Sequence, residues 1–246
     1  GAPEAKATLG GISDNKISFL WEKNDAIKVY KGLTAMSGTP TIAEEDNRSS
    51  SATLQISFSE TEIPAAGEDM TFLYPAGKGD PTLSEKGASF TFPEEQYAAL
   101  GGISKDHGYR QLSAAIAHVE SAVDLFEGNV PAIEFKNAFA IVTFRFDETL
   151  TDVKKVTLSG GNNEVLTGTY DIAKDGIVAL DEAKTSYKEA HLIYDSGNTF
   201  ATTGNYYMVI PPTKFTKGFT VKLTLADGTV LVKSSPSAEF NFARSS

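Results

Sequence analysis

Three histidines, His107, His118 and His191, are the side chains best suited to metal binding or to proton transfer near neutral pH. None is paired at a His-x-x-x-His spacing, and a zinc site needs three or four converging ligands, so each reads as a surface or hydrogen-bonded histidine. Tyr194-Asp195-Ser196-Gly197 has the local form of an aspartic-protease active-site turn. That chemistry needs two carboxylates sharing one proton, and the chain has no second copy; Asp-Ser-Gly is also ordinary turn chemistry after a strand. Asp171, Asp175 and Asp181 lie in a loop-rich region, but their order does not match a calcium-binding loop, and they read as solvated turn carboxylates. There is no Cys, which excludes thiolate ligands, disulfides and a Cys nucleophile. No nucleophile elbow, phosphate-cradling loop or dinucleotide fingerprint occurs. The residues therefore predict a non-enzymatic protein without catalytic residues, cofactor or metal.

The charge balance narrows the partners. The 246 residues carry 22 basic and 32 acidic side chains, a net charge of −10, whereas phosphate binding needs a concentrated positive surface; nucleic acid is not expected. Lys154-Lys155 and Lys214 with Lys217 read as solvated strand ends. Hydrophobic residues make up 41% of the chain, enough for a sizeable core, and no run of 18 apolar residues marks a membrane-spanning helix. The opening Gly1-Ala2-Pro3-Glu4-Ala5 has no Met and no signal-type apolar stretch, so an export signal or a lipid-anchoring Cys is expected upstream.

The elements that position these groups are strands. Fifteen Phe and nine Tyr suit pleated faces. Runs at 16–21 and 26–30 flank the polar turn Glu22-Lys23-Asn24-Asp25; the second alternates, with Ile27 and Val29 on one face. Residues 53–58 alternate in the same way, as a half-buried strand should. Residues 70–74 form a strand closed by Pro75, which cannot donate to a ladder. A short strand follows at 88–92, and the spacing of Leu112, Ile116 and Val119 predicts a helix over 109–121. From 138 to 146 a nearly continuous apolar run suits a central sandwich strand. Further strands are expected at 153–158, 165–172, 206–210, 219–225 and 229–233, with Asp227-Gly228 as a hairpin turn. Trp21 is expected in the core, and Tyr206-Tyr207 must point one ring to each face. Strands at this spacing without long helices predict an all-β antiparallel sandwich. A change of texture near Val130-Pro131 divides the chain into domains 1–130 and 131–246.

Several segments, in order, resemble the fimbrillin family of Bacteroidales surface proteins. Residues 21–30, Trp-Glu-Lys-Asn-Asp-Ala-Ile-Lys-Val-Tyr, resemble its Trp-x-x-Gly-Asp-x-Ile-x-Val-aromatic signature, with Asn24 in place of Gly. Leu73-Tyr74-Pro75-Ala76 is similar to a strand ending in Tyr-Pro, residues 135–144 to the strand opening the family's C-terminal domain, and residues 206–212 to its late strand ending in Pro. The resemblance implies two tandem transthyretin-like Greek-key β-sandwich domains on a lipoprotein at the outer membrane. It also implies a fimbrial subunit or accessory protein in cell adhesion, whose partners are other pilin-type subunits joined by donor-strand insertion. The expected processing site, a basic residue before Ala-Thr, best matches Lys6-Ala7-Thr8, with Arg48 as the alternative. Strands are expected to be missing at one or both ends, leaving sheet edges open. The alternative is a monomeric outer-membrane lipoprotein of the same fold that binds a glycan or a host protein.

Overall fold

The computed structural model describes residues 8–13, 16–23, 25–74, 82–98, 112–120, 122, 132–176, 178–194, 197–202 and 204–244. The strands begin with β1 (Thr8–Ser13), β2 (Lys16–Leu20), β3 (Lys28–Lys31), β4 (Thr34–Ala35), β5 (Thr41–Ile42) and β6 (Leu54–Gln55). There follow β7 (Met70–Tyr74), β8 (Thr82–Ser84), β9 (Gly87–Phe92), β10 (Glu95–Ala98), β11 (Ala115–Val119) and β12 (Lys136–Asn137). The later strands are β13 (Ala140–Phe144), β14 (Val153–Gly160), β15 (Thr167–Ile172), β16 (Val178–Leu180), β17 (Ser186–Tyr187) and β18 (Glu189–Tyr194). The last are β19 (Tyr206–Ile210), β20 (Thr213–Phe215), β21 (Phe219–Leu225), β22 (Val230–Ser234) and β23 (Phe240–Phe242). Two 3₁₀ turns, Glu44–Asp46 and Glu60–Glu62, interrupt the early strands. The protein is an all-β sandwich.

The helix expected over 109–121 is not what forms: residues 115–119 are strand β11, antiparallel to β7, while 109–111 and 121 lie outside the described residues. The reason is that both faces of this strand are buried. Ala115 and Ala117 face one core with Met70 and Phe72, and Ile116 faces another with Leu73 and Phe90. A strand between two cores loses its period-two signature, and its alanines, good helix formers, then mimic a helix.

The first sheet, ordered β12-β11-β7-β3-β4, separates those two cores by simple alternation. Along β3, Val29 enters one and Tyr30 the other, and Ile27 lies with Val29 as the spacing predicts. The inner core then meets a second sheet, β16-β15-β9-β8, through Phe90, Phe92, Tyr170 and Ile172. The pair β13-β19 stands between this core and a third one. Ile141 and Val209 point to one side; Ala140, Tyr206, Met208 and Ile210 point to the other. The third core is closed by the sheet β10-β18-β14-β21-β22 through Val156, Leu158, Ala190 and Leu192. Each fully buried Phe or Leu in these layers contributes roughly 1.5–3 kcal/mol of transfer free energy.

Strands pair across residues 130 and 131 in both directions: β9 with β15, β10 with β18, and β12 with β11. The β10–β18 ladder is parallel, unlike the other named ladders, and β10 lies at the edge of its sheet. Asp227-Gly228 makes the expected turn between β21 and β22, with Gly228 at φ +87°. Residues 53–58 keep their alternation of half-buried and exposed side chains, yet only Leu54 and Gln55 enter a ladder, with β5.

Candidate binding cleft

A cleft of about 870 Å³ opens beside the first sheet. Its floor is the face of β7 and β11 that carries Met70, Phe72, Tyr74 and Ala115. One wall is the segment 53–58, which presents Leu54, Ile56 and Phe58 inward and Gln55 and Ser57 outward, with Thr53 also lining the cleft. The other wall is 132–135, which also alternates: Ile133 and Phe135 are half-buried, Ala132 and Glu134 exposed. Ile56 to Ser59 and 132–135 lie outside any ladder. Among the described residues, the sheet face and these two segments together line an apolar trough.

Trp21 stands at the rim. It packs against the core of Met70, Phe72 and Tyr74, as the sequence predicts, but is only half-buried, with its ring edge-on to Tyr74 (centroids 5.7 Å apart) and to Phe135 (5.1 Å). Phe135 also meets Phe72 edge-on at 6.5 Å, so the aromatic side chains tie floor, wall and rim together. Behind them Asp25 is 3% exposed; it accepts hydrogen bonds from the Tyr74 hydroxyl (3.3 Å) and the Glu22 N–H (2.9 Å). That buried carboxylate fixes the polar turn after Trp21.

The loop 44–49 fastens the rim. Trp21 N–H donates to the Ser49 carbonyl (2.8 Å), and Arg48 N–H donates to the Trp21 carbonyl (2.6 Å). Lys23 adds a backbone hydrogen bond to Asn47 Oδ1 (3.1 Å) and an ion pair with Glu44 (3.1 Å). Arg48 itself is exposed and sits at φ +67°, a left-handed conformation uncommon for a residue with a side chain. Of the two expected processing residues, Arg48 therefore lies on the loop that clamps the cleft rim, and Lys6 lies outside the described residues.

The residues singled out for chemistry do not converge on the cleft. His118 shares its Nδ1 with Thr71 Oγ1 (3.1 Å), its neighbour across the β7–β11 ladder, and its Nε2 lies 3.4 Å from Asp69. His191 repeats this on β14–β18, with Thr157 Oγ1 at 2.9 Å and Glu94 at 3.4 Å. Burial, then the charge of Lys174, holds His118 below its ordinary pKa despite Asp69 and Glu120 nearby. Asp171 lies in the β15 ladder and Asp181 caps the Ala183 N–H (3.1 Å), while Asp175 accepts from Arg244 through its carbonyl (3.0 Å). Among the described residues no three His, Asp or Glu gather as a metal-binding set. His107, Asp195 and Ser196 lie outside the described residues. Tyr206 is buried and Tyr207 half-buried, one ring to each face.

Sequence reasoning did not anticipate the cleft. Its sequence signals are the alternation at 53–58 and the short Ile133-Glu134-Phe135, neither of which reveals that the two segments line one cleft.

No family model matches the chain, and no curated protein is recognisably similar to it. Two solved structures share its fold. A protein from Bacteroides uniformis, provisionally described as a cell adhesion protein, superposes with a TM-score of 0.52 at 18% identity, over 87% of this chain and 78% of that one. A protein from Bacteroides ovatus, described in the same words, gives a TM-score of 0.51 at 11% identity, over 92% of this chain and 83% of that one.

Proposed function

We propose that this chain is a non-enzymatic cell-surface adhesion protein of the fimbrial-subunit type, whose N-terminal cleft accepts an extended strand from another chain. The observation that carries the reading is the trough between 53–58 and 132–135, with the apolar face of β7 and β11 as its floor. A strand laid there gains backbone hydrogen bonds along the walls and buries alternate side chains on Met70, Phe72 and Ala115, which is β-strand addition. The two Bacteroides proteins of the same fold, both provisionally described as cell adhesion proteins, agree with a surface role. In this reading a lipid anchor holds the protein at the outer membrane. Proteolysis after Lys6 or Arg48 is the processing step that readies the cleft; a cut at Arg48 severs the loop that clamps Trp21.

The second reading is a monomeric surface protein that binds a glycan or a host protein. It is favoured by the aromatic side chains Trp21, Tyr74 and Phe135 lining the cleft together with polar Ser113 and Asn137, a mixture suited to sugar rings. Limited trypsin treatment of the full-length protein, followed by size analysis, separates the two. Strand exchange gives SDS-resistant ladders after a cut near Lys6 or Arg48. A nicked protein that stays monomeric and binds glycan supports the second reading.

A further inference from the structure

The sheet that closes the third core ends in β22, whose sole ladder partner among the described residues is β21. β21 packs on that core through Phe219, Val221, Leu223 and Leu225, whereas all five residues of β22, Val-Leu-Val-Lys-Ser, are exposed. Val230, Leu231 and Val232 are 52%, 39% and 61% exposed. The other large exposed apolar side chains among the described residues, Leu33, Ile63 and Tyr187, are scattered singly. An apolar edge strand of this kind is a pairing template that proteins ordinarily cover or blunt.

The hairpin's own hydrogen bonds fix which backbone groups of β22 are turned outward. Leu225 N–H donates to the Thr229 carbonyl (2.9 Å) at one end, and Ser235 N–H donates to the Phe219 carbonyl (2.9 Å) at the other. With Leu223 opposite Leu231 and Val221 opposite Lys233 between them, the odd-numbered residues of β22 turn their N–H and C=O groups to β21. Those of Val230, Val232 and Ser234 therefore point out of the sheet edge. The side chains alternate as well. Leu231 and Lys233 share the core-facing side with Leu223 and Val221, and Val230 and Val232 share the other side with Thr224 and Lys222.

We infer that β22 pairs antiparallel with β22 of a second copy, side by side, about a two-fold axis through Leu231. In this register Val230 opposes Val232 of the second copy as a hydrogen-bonded pair, and the symmetric pair repeats it. The outward N–H and C=O groups of both residues are satisfied, the valines cluster on one face, and the two Leu231 side chains meet on the other. Lys233 opposes Thr229 and lies diagonal to Asp227 of the second copy, within the roughly 7–8 Å that a long side chain spans. Lys233 is the only charge on the strand and Asp227 the only one in its turn, so the register that matches the apolar residues also matches the charges, and the two-fold makes the ion pair twice. Lys222, beside Val232, is already paired with Glu189 (3.0 Å) and brings no unmatched charge. Pro236 has no N–H to offer and ends the template. A single strand seam is smaller than the roughly 1,200–2,000 Å² of a stable interface, so the dimer exchanges with monomer and forms where copies are concentrated. None of the cleft-lining residues belongs to this sheet, so the pairing is independent of the cleft reading and gives one particle two clefts, which multiplies avidity.

The chain has no Cys, so disulfide trapping reads the register directly. Full-length, uncut Leu231→Cys is oxidised at high protein concentration. Opposed residues of a non-hydrogen-bonded antiparallel pair lie about 4.5 Å apart, inside the roughly 4.4–6.8 Å that a disulfide spans. The expected result is a covalent dimer of Leu231→Cys and of Val230→Cys mixed with Val232→Cys, with far less from either of those two alone. Sedimentation of the wild-type protein over a concentration series should show a reversible monomer–dimer equilibrium. High salt and Asp227→Asn, which keeps the turn, should each weaken it several-fold, and Val232→Lys should abolish it. A wild-type protein that stays monomeric at every concentration overturns the pairing, as does a dimer that Val232→Lys leaves intact. Trapping through Val232→Cys alone with none through Leu231→Cys overturns the register. Because the protein is uncut and the cleft lies outside this sheet, any of these failures leaves the strand-accepting cleft standing.

Discussion

The side chain of Gln96 does the work of a strand backbone beside Val209: its Nε2 donates to the Val209 carbonyl at 2.5 Å, and its Oε1 accepts from the Val209 N–H at 2.8 Å. Gln96 is fully buried, so one amide joins β10 to β19 where no ladder runs and closes the wall of sheet around the third core. Replacing it with Ala leaves a buried N–H and a buried carbonyl unpaired, at roughly 1–3 kcal/mol each. Chemical denaturation is expected to show Gln96→Ala destabilised by about 2–6 kcal/mol. Gln96→Glu should also destabilise at neutral pH and recover in acid, since a carboxylate faces the carbonyl with no proton to donate. A Gln96→Ala protein as stable as wild type would remove this closure from the account.

Glu62 is a second local lock. The Ser37 and Ser59 backbone N–H groups, then both serine hydroxyls, donate to its carboxylate and bring its pKa from 4.5 to about 2. Because the folded-state value is the lower one, this stabilisation is complete above the ordinary carboxylate range and is lost as pH falls through about 2. An NMR titration should find the Glu62 carboxyl still ionised well below its ordinary value of 4.5. A midpoint near 4.5 contradicts the lock.

His118 works in the other direction. Burial, then Lys174, keeps its folded-state pKa below 6.5, so the unfolded chain takes up the proton first and stability declines as pH falls through that value. Denaturation curves across this range should flatten for His118→Gln relative to wild type. An unchanged pH dependence would mean that the imidazole contributes nothing.

Alternation in the cleft wall gives a paired test. Ile56 faces the trough and Ser57 faces solvent. Ile56→Lys should abolish trypsin-induced association measured by light scattering, whereas Ser57→Lys should leave it intact. Both should unfold within about 1 kcal/mol of each other, far less than the roughly 3–5 kcal/mol expected for Phe72→Ala on the floor. Equal association of the two lysine variants would show that the wall is not the contact.

Much of the fold was legible where local chemistry decides it. Asp227-Gly228 between two alternating runs named its hairpin, and the nearly continuous apolar run at 138–146 named a central strand, which forms over Ala140–Phe144. Residues 112–119 were misread because burial on both faces erased the strand period and alanine carried a helical signal. The pairing of β10 with β18 was not legible at all: the two are far apart in sequence, and only tertiary packing brings them side by side. The cleft was half legible. The inward set Leu54, Ile56 and Phe58 shows in the sequence, but the distance along the chain to 132–135 hides that the two segments line one cleft.

The account stands on the cleft accepting a strand from another chain, and backbone hydrogen exchange tests that most directly. Full-length protein is compared before and after trypsin-induced association, following amides at 53–58 and 132–135, the two walls that lie largely outside any ladder. The account predicts strong new protection along both walls, with β7 and β11 unchanged because their ladders already exist. Association that leaves both walls as exchangeable as in the monomer would contradict it.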